Sequence, residues 1–332
     1  SMFASAPASK SNSIASYRPI IIPLYNEEKN ISCCLDILEQ QTSQNFSVIF
    51  VDDGSTDLTY DKLLSELADR SPSFSYNILQ QANQGAAKAR ETGIYRATTP
   101  YVFTFDADDH ITPDLIEKTE ADINVNHSDI SLPDFQIQQK DGSYNLLHYP
   151  DNKEQFTGIE CLQYTLGKWL VPGIMCVKKE IFIKTYELYK QYNPQDCNYM
   201  NNDEVVNRLN YLHAKKVTRS HATYSYLCNP DSTTKRVNPN RYLMANNVVI
   251  LYKLFGQGEG VLSQKTQEEY INVLWGLIKY LRRNRKELPN VDAWRKQIKE
   301  LIHQIKPDLS KFKGLSFKSR SRLWMSLFYS KL

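Results

Sequence analysis

The sequence predicts an α/β fold built on a mainly parallel sheet and followed by a helical C-terminal region. Three observations carry that prediction. Short β-branched and aromatic runs alternate with stretches of helical spacing through residues 18–115. Polar and acidic residues recur where those runs stop. Beyond about residue 260 the strand-like runs give way to long amphipathic stripes.

The first run, Arg18-Pro-Ile-Ile-Ile-Pro-Leu-Tyr25, reads as a buried strand ending at Asn26-Glu27-Glu28. Ile31, Cys34, Leu35 and Leu38 then recur at helical spacing. A second strand, 46–51, ends at Asp52-Asp53-Gly54-Ser55-Thr56-Asp57, and a helix is expected over 59–68. Residues 76–80 form a weaker strand candidate. The segment from Asn83 through Gly85, Arg90 and Gly93 reads as a loop feeding a helix that ends near Ala97. The strand Tyr101-Val-Phe-Thr-Phe105 follows and delivers Asp106, Asp108 and Asp109 at its end. Pro113 sits where a helix opens, and 128–149 alternate around Asp141-Gly142, a hairpin signal. Late helices are expected over 264–285 and 292–305.

With 41% hydrophobic and 23% charged residues, the 332-residue chain has a globular composition. No apolar run reaches the ~18 residues of a membrane span. Residues 1–16 lack an apolar h-region and are expected to be a flexible leader or tag remnant, not a signal peptide. The six cysteines contain no C-x-x-C pair, so reduced thiols and a cytoplasmic location are expected. The net charge of +3 conceals an asymmetry: from Leu262 onward 16 Lys and Arg face 6 Asp and Glu.

The strand-end carboxylates point to chemistry. In open α/β sheets ligands sit beyond the carboxyl ends of strands. Asp106 and Asp108 offer hard oxygen ligands to Mg²⁺ or Mn²⁺ while leaving positions for phosphate oxygens. Neither a G-x-G-x-x-G after the first strand nor a P-loop is present, so phosphate charge must be met by metal and basic side chains.

Four motifs carry a resemblance. Pro23-Leu-Tyr25-Asn26-Glu27-Glu28, Val51-Asp52-Asp53-Gly54-Ser55-Thr56-Asp57, Asn83-x-Gly85-x-x-x-Ala89-Arg90 and Asp106-Ala-Asp108-Asp109 resemble family 2 glycosyltransferases of the GT-A fold, in the family's order and spacing. The resemblance implies a Rossmann-like nucleotide-sugar domain over 17–240, with a nucleotide-binding half (17–115) and an acceptor half (116–240). A C-terminal helical region (241–332) follows. It implies a UDP-sugar donor lined by Pro23, Tyr25, Asn26, Glu27, Asp52, Asp53, Asn83, Arg90, Asp106 and Asp108. Asp53 would accept from the uracil N3–H, and Asp106 and Asp108 would hold Mn²⁺ or Mg²⁺ as a Lewis acid. Each residue also has a plain structural reading. Tyr25 can be a core aromatic, Glu27 a charge at a helix start and Asp53 a turn residue.

Tyr199-Met-Asn-Asn-Asp203-Glu204-Val-Val-Asn-Arg208 resembles the helix start whose Asp is the general base of inverting members. Asp203 is the expected base and Glu204 the reserve, with Asn202 standing where the family usually has Glu. A plain acidic pair at a helix N-terminus is the alternative. The segment 223–236 resembles the family's strand and diphosphate-closing loop, with Ser232, Lys235 and Arg236 as donor contacts. No His lies between Asn229 and Arg236, where many relatives place a metal ligand. Residues 157–185 fit the family only loosely.

The tail from Lys311 to Leu332 has six basic residues, no acidic one and many aromatics and leucines. It reads as a segment for contact with an anionic membrane. On that reading a chain ending at Ser310 is expected to stay folded. A packed tail and a dimer contact are the alternatives. Nucleic acid is not an expected partner, because no recognised module accompanies the charge.

These features imply inverting transfer of a hexosyl or N-acetylhexosaminyl group to a glycan, or to a lipid-linked glycan, of the cell envelope. A sugar-phosphate nucleotidyltransferase and an inactive glycan-binding relative are the rival readings.

Overall fold

The computed structural model describes residues 18–168, 170–227 and 237–329. The chain divides into two compact units. The first comprises Ser1–Cys161, Leu170–Leu188 and Leu209–Cys228, and the second Leu162–Trp169, Tyr189–Arg208 and Asn229–Leu332.

The opening elements follow the predicted alternation. Strand β1 (Arg18–Leu24) leads to helix α1 (Ile31–Glu39), β2 (Phe46–Asp52), α2 (Thr59–Arg70), β3 (Ser75–Gln80), α3 (Ala86–Arg96) and β4 (Tyr101–Thr104). Helix α1 forms because Ile31, Cys34, Leu35 and Leu38 share one buried face. Helix α2 stops at Ser71, whose left-handed φ of 47° turns the chain out of the helix. Gly93 lets α3 lie close on the sheet, since a Cβ there would come within 2.5 Å of Ile21 Cγ2.

The chain continues through β5 (His110–Ile111), α4 (Leu115–Asn126), β6 (Ile130–Gln138), β7 (Tyr144–Leu146) and β8 (Gln155–Phe156). Next come α5 (Gly158–Thr165), β9 (Cys176–Lys178), α6 (Lys179–Tyr192), α7 (Asn202–His213) and β10 (Val217–Tyr226). The expected hairpin is present as β6 and β7, turning at Asp141 and Gly142. Helix α5 begins with a reciprocal cap: Thr157 N–H donates to Glu160 Oε2 at 2.7 Å, and Glu160 N–H donates to Thr157 Oγ1 at 3.2 Å.

The strands form one mixed sheet in the order β3-β2-β1-β4-β9-β6-β10-β5, with β7 beside β6 and β8 beside β10. Strands β1 to β4 are mutually parallel, β6 and β10 are parallel, and the short β9 runs antiparallel between β4 and β6. Register places Leu24 opposite Asp52 and Asp52 opposite Gln80, so three parallel strands end abreast at one edge. Beneath that edge the sheet and helices α1, α2 and α4 close on a core including Ile20, Ile22, Phe50, Phe103, Leu115 and Tyr224.

The second unit has its own helical core. Helices α8 (Ala245–Leu251), α9 (Val261–Asn284), α10 (Val291–Ile305) and α11 (Phe317–Tyr329) surround Tyr270, Leu274, Trp294 and Ile298. Trp294 stacks on Tyr280 with ring centroids 5.1 Å apart. The C-terminal tail corrects one expectation. Phe312, Leu315 and Leu323 are buried in this core, Phe312 stacking on Tyr252, so removing everything beyond Ser310 would open it.

Candidate active site

The polar loops at the carboxyl edge are stitched together before any ligand is considered. Asn26, left-handed at φ 56°, receives a hydrogen bond from Thr56 N–H on its Oδ1 at 2.8 Å. Its own N–H donates to Ser55 Oγ at 3.0 Å, and Glu27 N–H donates to Thr59 Oγ1 at 2.7 Å. Gly54, at φ 70°, permits the next contact: a Cβ there would come within 2.9 Å of Asn83 N.

Asp53 ties this loop to the one after β3. Its Oδ1 accepts from Gln81 Nε2 at 2.7 Å and Gln84 N–H at 2.9 Å, and its Oδ2 accepts from Gly85 N–H at 2.7 Å. Only 1% of the residue is exposed. A carboxylate has about four acceptor directions, and three of those of Asp53 are occupied. Gln81 in turn accepts from Thr92 Oγ1 at 2.7 Å, which orients its amide toward Asp53. The neighbouring Asp52 accepts from Ser55 N–H at 3.1 Å and Gln80 Nε2 at 3.2 Å, and is buried. Pro23 is half-buried within β1, opposite Val51. Tyr25, 46% exposed, is no core aromatic, and Asn83 is also exposed.

The acidic cluster lies at the end of β4. Arg90 Nη2 donates to both oxygens of Asp106, at 2.6 and 2.8 Å. Asp108 is half-buried. Asp109 is buried, accepting from Tyr224 OH at 2.6 Å and Leu227 N–H at 3.0 Å. Burial pushes the Asp109 carboxyl up to about 8, the Asp106 and Asp108 charges adding to the rise against its two hydrogen bonds. Burial likewise pushes Glu27 up to about 7, with Asp108, Asp106 and Asp57 contributing and the Asn30 hydrogen bond opposing. Asp109 and Tyr224 are partners that sequence reasoning missed as a pair. A phenol in an alternating buried strand needs a polar partner, which was the available signal.

Asp106 and Asp108 offer hard carboxylate oxygens at the end of β4, and Mg²⁺-type sites commonly use one or two such carboxylates completed by phosphate oxygens. Among the described residues no group of three or more His, Cys, Asp or Glu side chains could hold a metal.

In the second unit, α7 opens behind Met200 and Asn201, both left-handed at φ 62° and 53°. The amide of the buried Asn247 donates to their two carbonyls, at 2.6 and 3.2 Å. Asp203 and Glu204 occupy the first turn, where the helix dipole favours negative charge. Glu204 pairs with the buried Arg208 at 3.2 Å, and Arg208 also donates to Thr165 O at 3.0 Å. Arg208 therefore anchors the helix to the end of α5. Ser232, Lys235 and Arg236 lie outside the described residues.

Residues 20–184 match the family model for glycosyl transferase family 2. Glycosyltransferase GlyG of Streptococcus pneumoniae serotype 4 is 28% identical over 178 residues, covering 49% of this chain and 57% of GlyG. The chain spans just over half, or less, of the first curated relatives it matches. A crystal structure of S. aureus TarS 1-349 in complex with UDP-GlcNAc superposes with a TM-score of 0.64 at 18% identity, covering 93% of this chain and 89% of that one. A structure of GalNAc-T7 with UDP, GalNAc and Mn²⁺ gives 0.55 at 12% identity, over 90% and 58% of the two chains. Likeness at such identities concerns the fold. Motif order, matched segment and shared architecture agree: this chain belongs to glycosyl transferase family 2 and has the GT-A fold.

Proposed function

We propose that this protein is an inverting, metal-dependent glycosyltransferase that moves a hexosyl or N-acetylhexosaminyl group from a UDP-sugar to a hydroxyl of a cell-envelope glycan or lipid-linked glycan. The observation that carries this reading is the convergence of Glu27, Asp53, Asp106 and Asp108, on loops at the carboxyl edge of the sheet, with Arg90 of α3 in one unit. Asp53 offers its remaining acceptor direction to the uracil N3–H. A buried acceptor left unpaired makes such a site discriminate strongly between bases. Tyr25 lies beside the base, and Pro23, Asn26, Asp52 and Asn83 shape the loops around the nucleotide. Arg90 balances charge beside the diphosphate, and the family resemblance assigns further diphosphate contacts to Ser232, Lys235 and Arg236. When bound, Mn²⁺ or Mg²⁺ supplies Lewis-acid neutralisation of the diphosphate, and Asp106 and Asp108 would hold it.

Asp203 takes the proton of the acceptor hydroxyl. The acceptor oxygen bonds to the anomeric carbon as the bond to the diphosphate oxygen breaks on the opposite face, and UDP departs with the electron pair. Glu204, paired with Arg208, is the reserve.

The test is a screen of UDP-sugars with Mn²⁺ and candidate glycan acceptors, reading UDP release and anomeric configuration. UDP released with inverted product supports the reading, and Asp108→Asn should abolish it while weakening donor binding mainly when metal is present. Pyrophosphate release would establish the nucleotidyltransferase rival, and a retained configuration would overturn the inverting mechanism. Sugar-nucleotide binding without turnover on any donor would favour an inactive relative.

A further inference from the structure

Helix α11 is amphipathic in an unusual sense. Its inward face, Ser319, Leu323 and Ser326, is buried in the second unit, and Arg322 Nη1 donates to Asn272 Oδ1 of α9. Its outward face is not polar. Phe317 is 89% exposed, Trp324 72% and Phe328 66%. At 100° per residue these three fall within about 40° of one another, so they form one stripe along the helix. Lys318 and Arg320, both exposed, flank it, and the helix carries no acidic residue.

Beside the stripe lies a groove of about 660 Å³ whose walls include Trp275, Trp324, Phe328 and the guanidinium-bearing Arg282, Arg285 and Arg295. Arg295 also pairs with the exposed Asp292 at 3.2 Å. Apolar side chains and arginines lining one groove match an amphiphile with an anionic head.

We propose that this face of the second unit seats the protein on an anionic lipid leaflet. Phe317, Trp324 and Phe328 enter the interfacial zone, while Arg282 and Arg285 meet lipid phosphate. Charge selects this occupant over a second copy of the chain. An isologous pair would set the Lys318, Arg282 and Arg285 patch against its own equivalent, whereas an anionic surface neutralises it. Ring-bearing side chains with a polar edge, Trp above all, are favoured at the headgroup level. The inference does not depend on the transferase reading, because the surface lies wholly in the second unit and is tested without turnover.

The experiment is co-sedimentation of the full chain with vesicles of phosphatidylglycerol and phosphatidylcholine, against phosphatidylcholine alone. The wild type should bind only the anionic vesicles, more weakly as salt rises, with the tryptophan emission moving to the blue. Trp324→Ala/Phe328→Ala should lower the partition coefficient by about tenfold or more with an unchanged melting temperature, since both side chains are exposed. Arg282→Gln/Arg285→Gln should weaken binding to the anionic vesicles and shallow its salt dependence, and serves independently if the aromatic variant misfolds. Equal binding to both vesicle types, or none, would overturn the proposal. So would a concentration-dependent dimer that the aromatic variant dissociates, because the stripe would then be a contact between copies.

Discussion

One guanidinium nitrogen of Arg90 bridges both carboxylate oxygens of Asp106, at 2.6 and 2.8 Å, linking α3 to the end of β4. The two residues come from different sequence motifs sixteen positions apart, and the pair brings a cation into the acidic cluster. Charge-assisted contacts of this kind are shorter and stronger than neutral ones.

Arg90→Gln should therefore weaken UDP-sugar binding by about tenfold or more in the absence of metal, with a smaller loss at saturating Mn²⁺. Titration calorimetry with and without the cation reads both. Equal donor affinity for wild type and variant under both conditions would reduce Arg90 to a purely structural tie.

Asp203→Asn should keep donor affinity and fold while lowering turnover by about 10²-fold or more, since the isosteric amide cannot accept the proton. Glu204→Gln should cost far less turnover, because that side chain is engaged with Arg208. The reverse pattern in parallel single-turnover assays would transfer the base assignment to Glu204.

The first unit should lose stability in acid partly through Asp129. Burial opposes the charge on Asp129, yet Lys178 Nζ at 2.7 Å and the N–H groups of Lys215 and Lys216 hold its carboxyl below the usual range. A carboxyl depressed on folding stabilises the fold above its unfolded pKa of about 3.9, and that share is lost as pH falls through the lower folded value. Asp129→Asn should cost about 1–2 kcal/mol at neutral pH. It should also flatten the fall in melting temperature below about pH 4. A variant whose acid limb parallels the wild type would refute the linkage.

Removing residues 311–332 should lower the melting temperature by several degrees or unfold the second unit. Phe312, Leu315 and Leu323 are buried in its core, and each such side chain is worth roughly 1.5–3 kcal/mol. Thermal melts of the shortened chain measure this directly, and an unchanged transition would mean that the tail's packing contributes nothing.

Local pattern alone determined the first half of the sheet and where its polar strand-end loops sit. The strands at 18–24, 46–52 and 101–104 are legible because each is a short apolar run, and their carboxyl ends are legible because acidic and glycine-containing loops interrupt them. The stripes of α9 and α10 are likewise periodic within themselves. Strand β9, three residues long, has no periodicity to read and exists because β4 and β6 pair with it from either side.

Only the tertiary structure decided how the site residues are held. Asp53 spends three acceptor directions on Gln81, Gln84 and Gly85, about thirty residues away, and Asp109 meets Tyr224 at a separation of 115. The tail was ambiguous for the same reason. Its composition suits a membrane face and a packed core equally, and the helix resolves this by turning Leu323 inward and Trp324 outward. Periodicity registers which residues share a face. Which face meets protein and which meets solvent depends on partners far along the chain, and those are fixed only when the chain has folded.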